Sequence, residues 1–300
     1  MKTSDFLDSL KNCGKYDVGR YDSSRPSYVG RYEDDGLYVS ADDNQYYSDN
    51  DIILKYHPRT EGQRMSTAAH EAGHMLAYMV AIAMETDSHE FAKECSNRIN
   101  MVCVKKYDYG TDCGGFISCD KEYKLSHIEA YKRMLCGGAI GEWCEELERT
   151  ENQDINVSLG YFTYAAKGHY NVELMKSLYK SCGGETDSEH LIDLCTLTGT
   201  TIQEETLKTL RLFRHKEFIA TWKVLYLKLF NQSKFTNLDV QYFAQEYRDI
   251  IYSIREDEEA KEKEREKLEY MRNNSWVKRV WHRICKYVIK DNTNKKDTDA

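Results

Sequence analysis

Ser66-Thr67-Ala68-Ala69-His70-Glu71-Ala72-Gly73-His74-Met75-Leu76-Ala77 is the stretch from which the rest of the chain is read. It contains H-E-x-x-H, and Met65, Ala69, Ala72, Leu76, Met79, Val80 and Ala83 recur at the spacing of an amphipathic helix. On a helix, side chains four apart lie about 5–6 Å from each other on one face, so two imidazoles can grip one ion. The glutamate between them projects beside the pair and can reach a water on that ion without ligating it. Zinc lowers the pKa of its bound water towards about 7, and a carboxylate can then take the proton as the water attacks a carbonyl. Gly73 adds a second signal. A glycine inside a helix costs about 1 kcal/mol relative to alanine, so it implies a local need for room. The pattern predicts His70 and His74 as metal ligands and Glu71 as catalytic base.

A catalytic zinc takes three protein ligands and keeps one position open. A third histidine six residues after His74 is excluded, because Val80 stands there. Two acids remain as candidates: Glu94, in the polar helical stretch Ser88–Glu94, and Asp154, in Thr150-Glu151-Asn152-Gln153-Asp154-Ile155-Asn156. The residues alone leave both open.

Composition bounds the function class. The 300 residues carry 42 Lys+Arg against 50 Asp+Glu, a net charge of -8, which argues against a nucleic-acid binder. With 41% hydrophobic residues and 2 prolines the chain reads as globular and mainly α-helical. The longest apolar run, Met75–Met84, is about half of the roughly 20 residues that span a bilayer, and Met1–Phe6 leads into polar sequence without an apolar core. The expectation is a soluble, cytoplasmic protein. Ten cysteines include no C-x-x-C pair, so they are read as reduced thiols, many of them small buried hydrophobes.

Three regions follow. Residues 1–60 form a Tyr/Asp-rich arm in which Gly36-Leu37-Tyr38-Val39-Ser40 is a short strand candidate. Residues 61–250 hold the motif and the helical periodicity. Within them, residues 100–106 and 115–118 read as a small β-hairpin whose edge could hold an extended peptide. Ser126-His127-Ile128-Glu129 reads as a capping box opening a long helix through Ile128, Tyr131, Leu135, Ala139, Ile140 and Trp143. Residues 251–300 comprise a charged helix, then a basic amphipathic helix over residues 276–290, then a polar tail. In that second helix Val277, Val280, Trp281, Ile284 and Val288 share a stripe ringed by Lys278, Arg279, Arg283, Lys286 and Lys290. Such a helix either docks on its own domain or lies on an anionic membrane or in a partner's groove, which would place the protein peripherally at a membrane.

His70-Glu71-Ala72-Gly73-His74 resembles the peptidase domain of FtsH-type membrane AAA proteases, whose zinc helix carries HEAGH. Cys113-Gly114-Gly115-Phe116-Ile117-Ser118 is similar to that family's glycine-led strand, and Leu135-Cys136-Gly137-Gly138-Ala139-Ile140-Gly141-Glu142 to its helix reading L-G-G-R-A-A-E. Asn152-Gln153-Asp154 falls where the family's N-D supplies the third zinc ligand. The resemblance spans roughly residues 60–245. It implies a helical zincin-type fold, with His70, His74 and Asp154 holding Zn2+ and Glu71 as base. Two departures stand out: Ala139 replaces the arginine after the paired glycines, and no G-x-x-x-x-G-K-[ST] loop is present. The chain is therefore expected to cleave peptides and flexible protein segments alone or fed by a separate ATPase. The leading expectation is a zinc-dependent metalloendopeptidase. The alternatives are a metal-binding or catalytically degenerate module that recruits a partner or membrane, and a metallohydrolase of a non-peptide bond.

Overall fold

The computed structural model describes residues 30–32, 38–40, 57–108, 114–119, 125–167 and 172–294. The fold is mainly helical with a small antiparallel sheet. Three short strands precede the main body. β1 (Gly30–Tyr32) pairs with β2 (Tyr38–Ser40), and β3 (His57–Pro58) pairs with a later strand. The rest of the Tyr/Asp-rich arm lies outside the described residues.

The first helix, α1 (Glu61–Glu85), starts with a capping box that the sequence reading did not single out. Thr60 Oγ1 accepts from the Gln63 amide at 3.2 Å, and the Gln63 side chain accepts from the Thr60 amide at 2.9 Å. From Ser66 to Ala83 every residue of α1 is buried, so the helix is enclosed on all sides. An amphipathic stripe understates this: alanines and Gly73 fill the faces that a surface helix gives to charges. α2 (Phe91–Arg98) follows, and then the sheet strand β4 (Ile99–Val104). β5 (Tyr107–Asp108) pairs with β3, and β6 (Gly115–Cys119) pairs with β4.

α3 (Ile128–Glu151) is the main partner of α1. A Cβ on Gly73 would stand 2.2 Å from Gly137 O, and one on Gly137 would stand 2.3 Å from Gly73 O. The two helices therefore cross backbone against backbone, which is the packing need that Gly73 implied. Trp222 Nε1 donates to Ala69 O at 3.0 Å and supports the same turn of α1 from the other side. At the start of α3 the expected capping box does not form. Leu125–His127 is a turn of 3-10 helix, His127 caps without a side-chain hydrogen bond, and Glu129 pairs with Lys132 at 2.6 Å instead.

Six further helices surround this pair: α4 (Ile155–Lys167), α5 (Val172–Ser181), α6 (Glu185–Thr198), α7 (Ile202–Leu212), α8 (Lys216–Gln232) and α9 (Asn237–Glu246). Between α8 and α9, β7 (Lys234–Thr236) completes a three-stranded sheet of order β6-β4-β7, with Val102 opposite Ile117 on one side and Phe235 on the other. The hairpin at 100–106 and 115–118 is thus as expected, and the third strand arrives from more than a hundred residues away. Lys132 on α3 is wholly buried and donates to Thr198, Thr200 and Glu205 at 3.1, 3.2 and 3.1 Å, tying α3 to α6 and α7. Cys95, Cys103, Cys119, Cys136, Cys144, Cys182 and Cys195 are buried and form no disulfide.

The chain divides into two compact units, residues 1–255 and 256–300. α10 (Arg248–Asn294) is one continuous helix of 47 residues, where a charged helix followed by a separate basic helix was expected. Its charged portion carries ion pairs at helical spacing, Lys261–Glu258 at 3.8 Å and Arg265–Glu262 at 2.5 Å. The side chains of Trp276, Val277 and Trp281, on which the amphipathic reading rests, lie outside the described residues. No helix among the described residues is long and apolar enough to cross a membrane.

Candidate metal centre

The i, i+4 spacing on α1 brings the His70 and His74 rings to 4.6 Å between centroids, nearly perpendicular at 80°. Their Nε2 atoms are 2.9 Å apart. Asp187 Oδ2 lies 3.1 Å from His70 Nε2 and 3.2 Å from His74 Nε2. Three donors at the corners of such a triangle match a small metal ion. Ligands bound at about 2.0–2.2 Å in a tetrahedral arrangement sit roughly 3.3 Å from one another. Among the described residues this is the group of three whose ligand atoms gather closely enough to hold a metal ion.

The outer hydrogen bonds fix which nitrogen faces the centre. His74 Nδ1 is 2.7 Å from Met134 O, which can only accept, so Nδ1 carries the proton and Nε2 the lone pair. His70 Nδ1 is 2.8 Å from Glu142 Oε2 and 3.1 Å from Cys182 O, again both acceptors, with the same consequence. Metal-bound histidines characteristically donate their other N–H to a carboxylate or carbonyl in this way. Burial alone would lower the pKa of both histidines. The Asp187 carboxylate reverses this for both rings, Glu142 adding to it at His70, so each lies above its ordinary value. Burial alone would raise Asp187, but the two imidazoles hold it far below the usual carboxylate range. The centre is a site built for positive charge.

Glycines make room for it. A Cβ on Gly138 would lie 2.4 Å from His74 Nε2 and 2.7 Å from His70 Nε2, so the absent side chain leaves the space onto which the rings close. Gly183, at φ 68, occupies left-handed backbone, and a Cβ there would stand 2.9 Å from Glu142 Oε2. The Cys182-Gly183-Gly184 turn before α6 thus delivers the Cys182 carbonyl to His70 and, one helical turn on, Asp187 to the two Nε2 atoms.

Glu71 is buried beside the pair, and its Oε2 has no hydrogen-bond partner. Desolvation pushes its pKa up to about 7, although both histidines pull it down. Gly115, the first residue of β6, lies against it: a Cβ there would be 2.9 Å from Glu71 Oε1 and 2.7 Å from Thr67 Cγ2. The sheet therefore begins at the catalytic-base candidate.

Of the expected residues, His70, His74 and Glu71 come together. Asp154 does not join them: it is exposed and its Oδ1 accepts from the Asn156 amide at 2.7 Å, starting α4. Glu94 does not join them either, being bound to Arg98 at 2.7 Å. The third member is Asp187, which the sequence reading missed. Asp154 and Asp187 both stand at the start of a helix, where acids are common because they complement the helix dipole. What sets Asp187 apart is the preceding Gly183-Gly184, which lets the chain turn back onto α1. Comparison of the chain with protein-family models, with curated proteins and with solved structures finds no match.

Proposed function

We propose that this protein is a zinc-dependent peptidase of the FtsH-like zincin kind, with His70, His74 and Asp187 as ligands and Glu71 as general base. The observation that carries the reading is the triangle of two imidazole lone pairs and one carboxylate oxygen within 2.9–3.2 Å, with an unpartnered buried glutamate next to it. Two neutral imidazoles and a carboxylate suit zinc, a borderline ion that takes nitrogen and oxygen ligands. When bound, zinc supplies Lewis-acid polarisation of a carbonyl and lowers the pKa of a water.

The chain's own residues account for the rest. Glu142, Cys182 O and Met134 O hold each Nδ1 proton and so keep both Nε2 atoms aimed inward. Glu71, buried beside the pair with one oxygen unpartnered, takes a proton from the attacking water at a carboxylate oxygen and returns it to the leaving nitrogen. A protein that only binds metal has no physical use for that carboxylate, so Glu71 favours hydrolysis over a recruiting module.

The test compares zinc content and casein cleavage for the full chain and Glu71→Gln. One zinc in each, with cleavage reduced by about 100-fold or more in Glu71→Gln, supports the reading. A zinc-loaded wild type that leaves both casein and short peptides intact overturns it.

A further inference from the structure

Arg59, directly after β3, packs against α1 one helical turn before Glu71. Its Nη2 lies 3.3 Å from Thr67 Oγ1, and Thr67 is one helical turn before Glu71. The Thr67 hydroxyl donates to Gln63 O at 2.9 Å, so towards Arg59 it acts only as an acceptor. Gly114 and Gly115 continue the row. A Cβ on Gly114 would stand 2.5 Å from Arg59 Nη2, and one on Gly115 would stand 2.9 Å from Glu71 Oε1. Consecutive residues at the start of β6 therefore touch the guanidinium and the base in turn. No larger side chain fits between them.

The guanidinium is underused. It has five N–H donors in a planar fork, yet among the described residues it makes the single bond to Thr67, and its Nε is buried without an acceptor. No described carboxylate pairs with it. Buried donors are normally satisfied, and an arginine fork is best satisfied by the two oxygens of a carboxylate. The backbone on both sides of the guanidinium is fixed: Arg59 N donates to Lys106 O at 2.9 Å, and Gly114 O accepts from Lys105 N at 2.8 Å.

We propose that Arg59 is a substrate-recognition residue that binds a carboxylate of the peptide, so that the site prefers acidic substrates. The inference rests on the peptidase reading above. The carboxylate has two sources, a Glu or Asp side chain near the scissile bond or the free C-terminus of a short peptide.

Four probes separate them: a short alanine-rich peptide with one central Glu or Gln, each as free acid and as C-terminal amide. Binding to zinc-loaded Glu71→Gln protein is measured by calorimetry, and cleavage by wild type is measured alongside. Expected is about ten-fold tighter binding of one carboxylate form over its uncharged counterpart, carried by Glu over Gln or by acid over amide. The same preference appears in kcat/KM. Arg59→Met abolishes it, Arg59→Lys keeps part of it, and zinc content and thermal stability stay unchanged in both. Equal binding of all four probes, or a preference that survives Arg59→Met, overturns the proposal. Carboxylate-selective binding without any cleavage leaves it standing and removes the peptidase reading instead.

Discussion

The Nε2 atoms of His70 and His74 face each other at 2.9 Å, and because both Nδ1 atoms hold their protons against acceptors, the neutral rings aim two lone pairs at one another. Two lone pairs at that distance repel, and the Asp187 oxygen at 3.1 and 3.2 Å adds a third acceptor. Only a cation or an added proton makes this arrangement favourable. The same pull is what raises both histidines above their ordinary pKa.

Loss of any corner should therefore cost metal binding. Asp187→Asn is expected to weaken zinc affinity by more than about 100-fold, beyond what an outer hydrogen-bond partner usually contributes. Asp154→Asn leaves it unchanged, since Asp154 only caps α4. Competitive titration against a zinc-chelating dye separates the two. Equal loss in both variants would return Asp154 to the metal.

Glu142 acts through His70 rather than on the ion. Its Oε2 accepts from His70 Nδ1 at 2.8 Å, so Glu142→Gln replaces a charged acceptor with a neutral one. A loss of about 10–100-fold in zinc affinity is expected, with one zinc still bound at saturation. Cys182 O, at 3.1 Å from the same nitrogen, keeps the tautomer in place. Unchanged affinity in Glu142→Gln would mean that the carbonyl alone orients the ring.

Two glycines on facing helices should fail differently. The Gly138 position abuts the tips of two histidine rings, so Gly138→Ala pushes flexible side chains apart. It should abolish zinc binding while costing about 1 kcal/mol of metal-free stability, the low end for a methyl added to a packed core. Gly73 abuts backbone, Gly137 O at 2.2 Å, so Gly73→Ala must separate two helices and should destabilise the protein by about 2–3 kcal/mol. Urea unfolding of the metal-free variants reads the difference directly. A stable Gly73→Ala would refute the backbone-to-backbone crossing.

The sequence disclosed what depends on neighbours along the chain. The α1 motif, the need for space at Gly73 and the β4–β6 hairpin are all set by local spacing, and each is where its residues predict. What it hid depends on return paths. Asp187 reaches the two histidines only because Gly183, at φ 68, turns the chain back towards Glu142 and His70. Lys234–Thr236 becomes a strand only because α8 ends beside β4. Neither path leaves a periodicity to read. The resemblance to the FtsH-type N-D motif points to Asp154, and Asp187, also an acid at a helix start, differs from it in the glycine turn that precedes it.

The buried Lys132–Glu205 pair gives the fold a defined response to acid. Burial would raise the Glu205 carboxyl, but hydrogen bonds and charge from Lys208 and Lys132 outweigh it and hold its pKa below the ordinary 4.5. A carboxylate depressed in the folded state contributes stability above its unfolded pKa. That contribution fades as the pH falls through 4.5 towards the folded value. Near pH 7, Glu205→Gln removes the charge opposite a wholly buried ammonium and is expected to cost about 2 kcal/mol, less than a bare buried charge because Thr198, Thr200 and Glu129 still bind Lys132. Below the depressed folded value the wild-type carboxyl is itself neutral, so the gap between the two proteins should close as the pH falls past it. Urea unfolding across that range measures the gap. A gap that stays constant with pH would show that Glu205 stabilises α7 against α3 by packing and hydrogen bonding rather than by its charge.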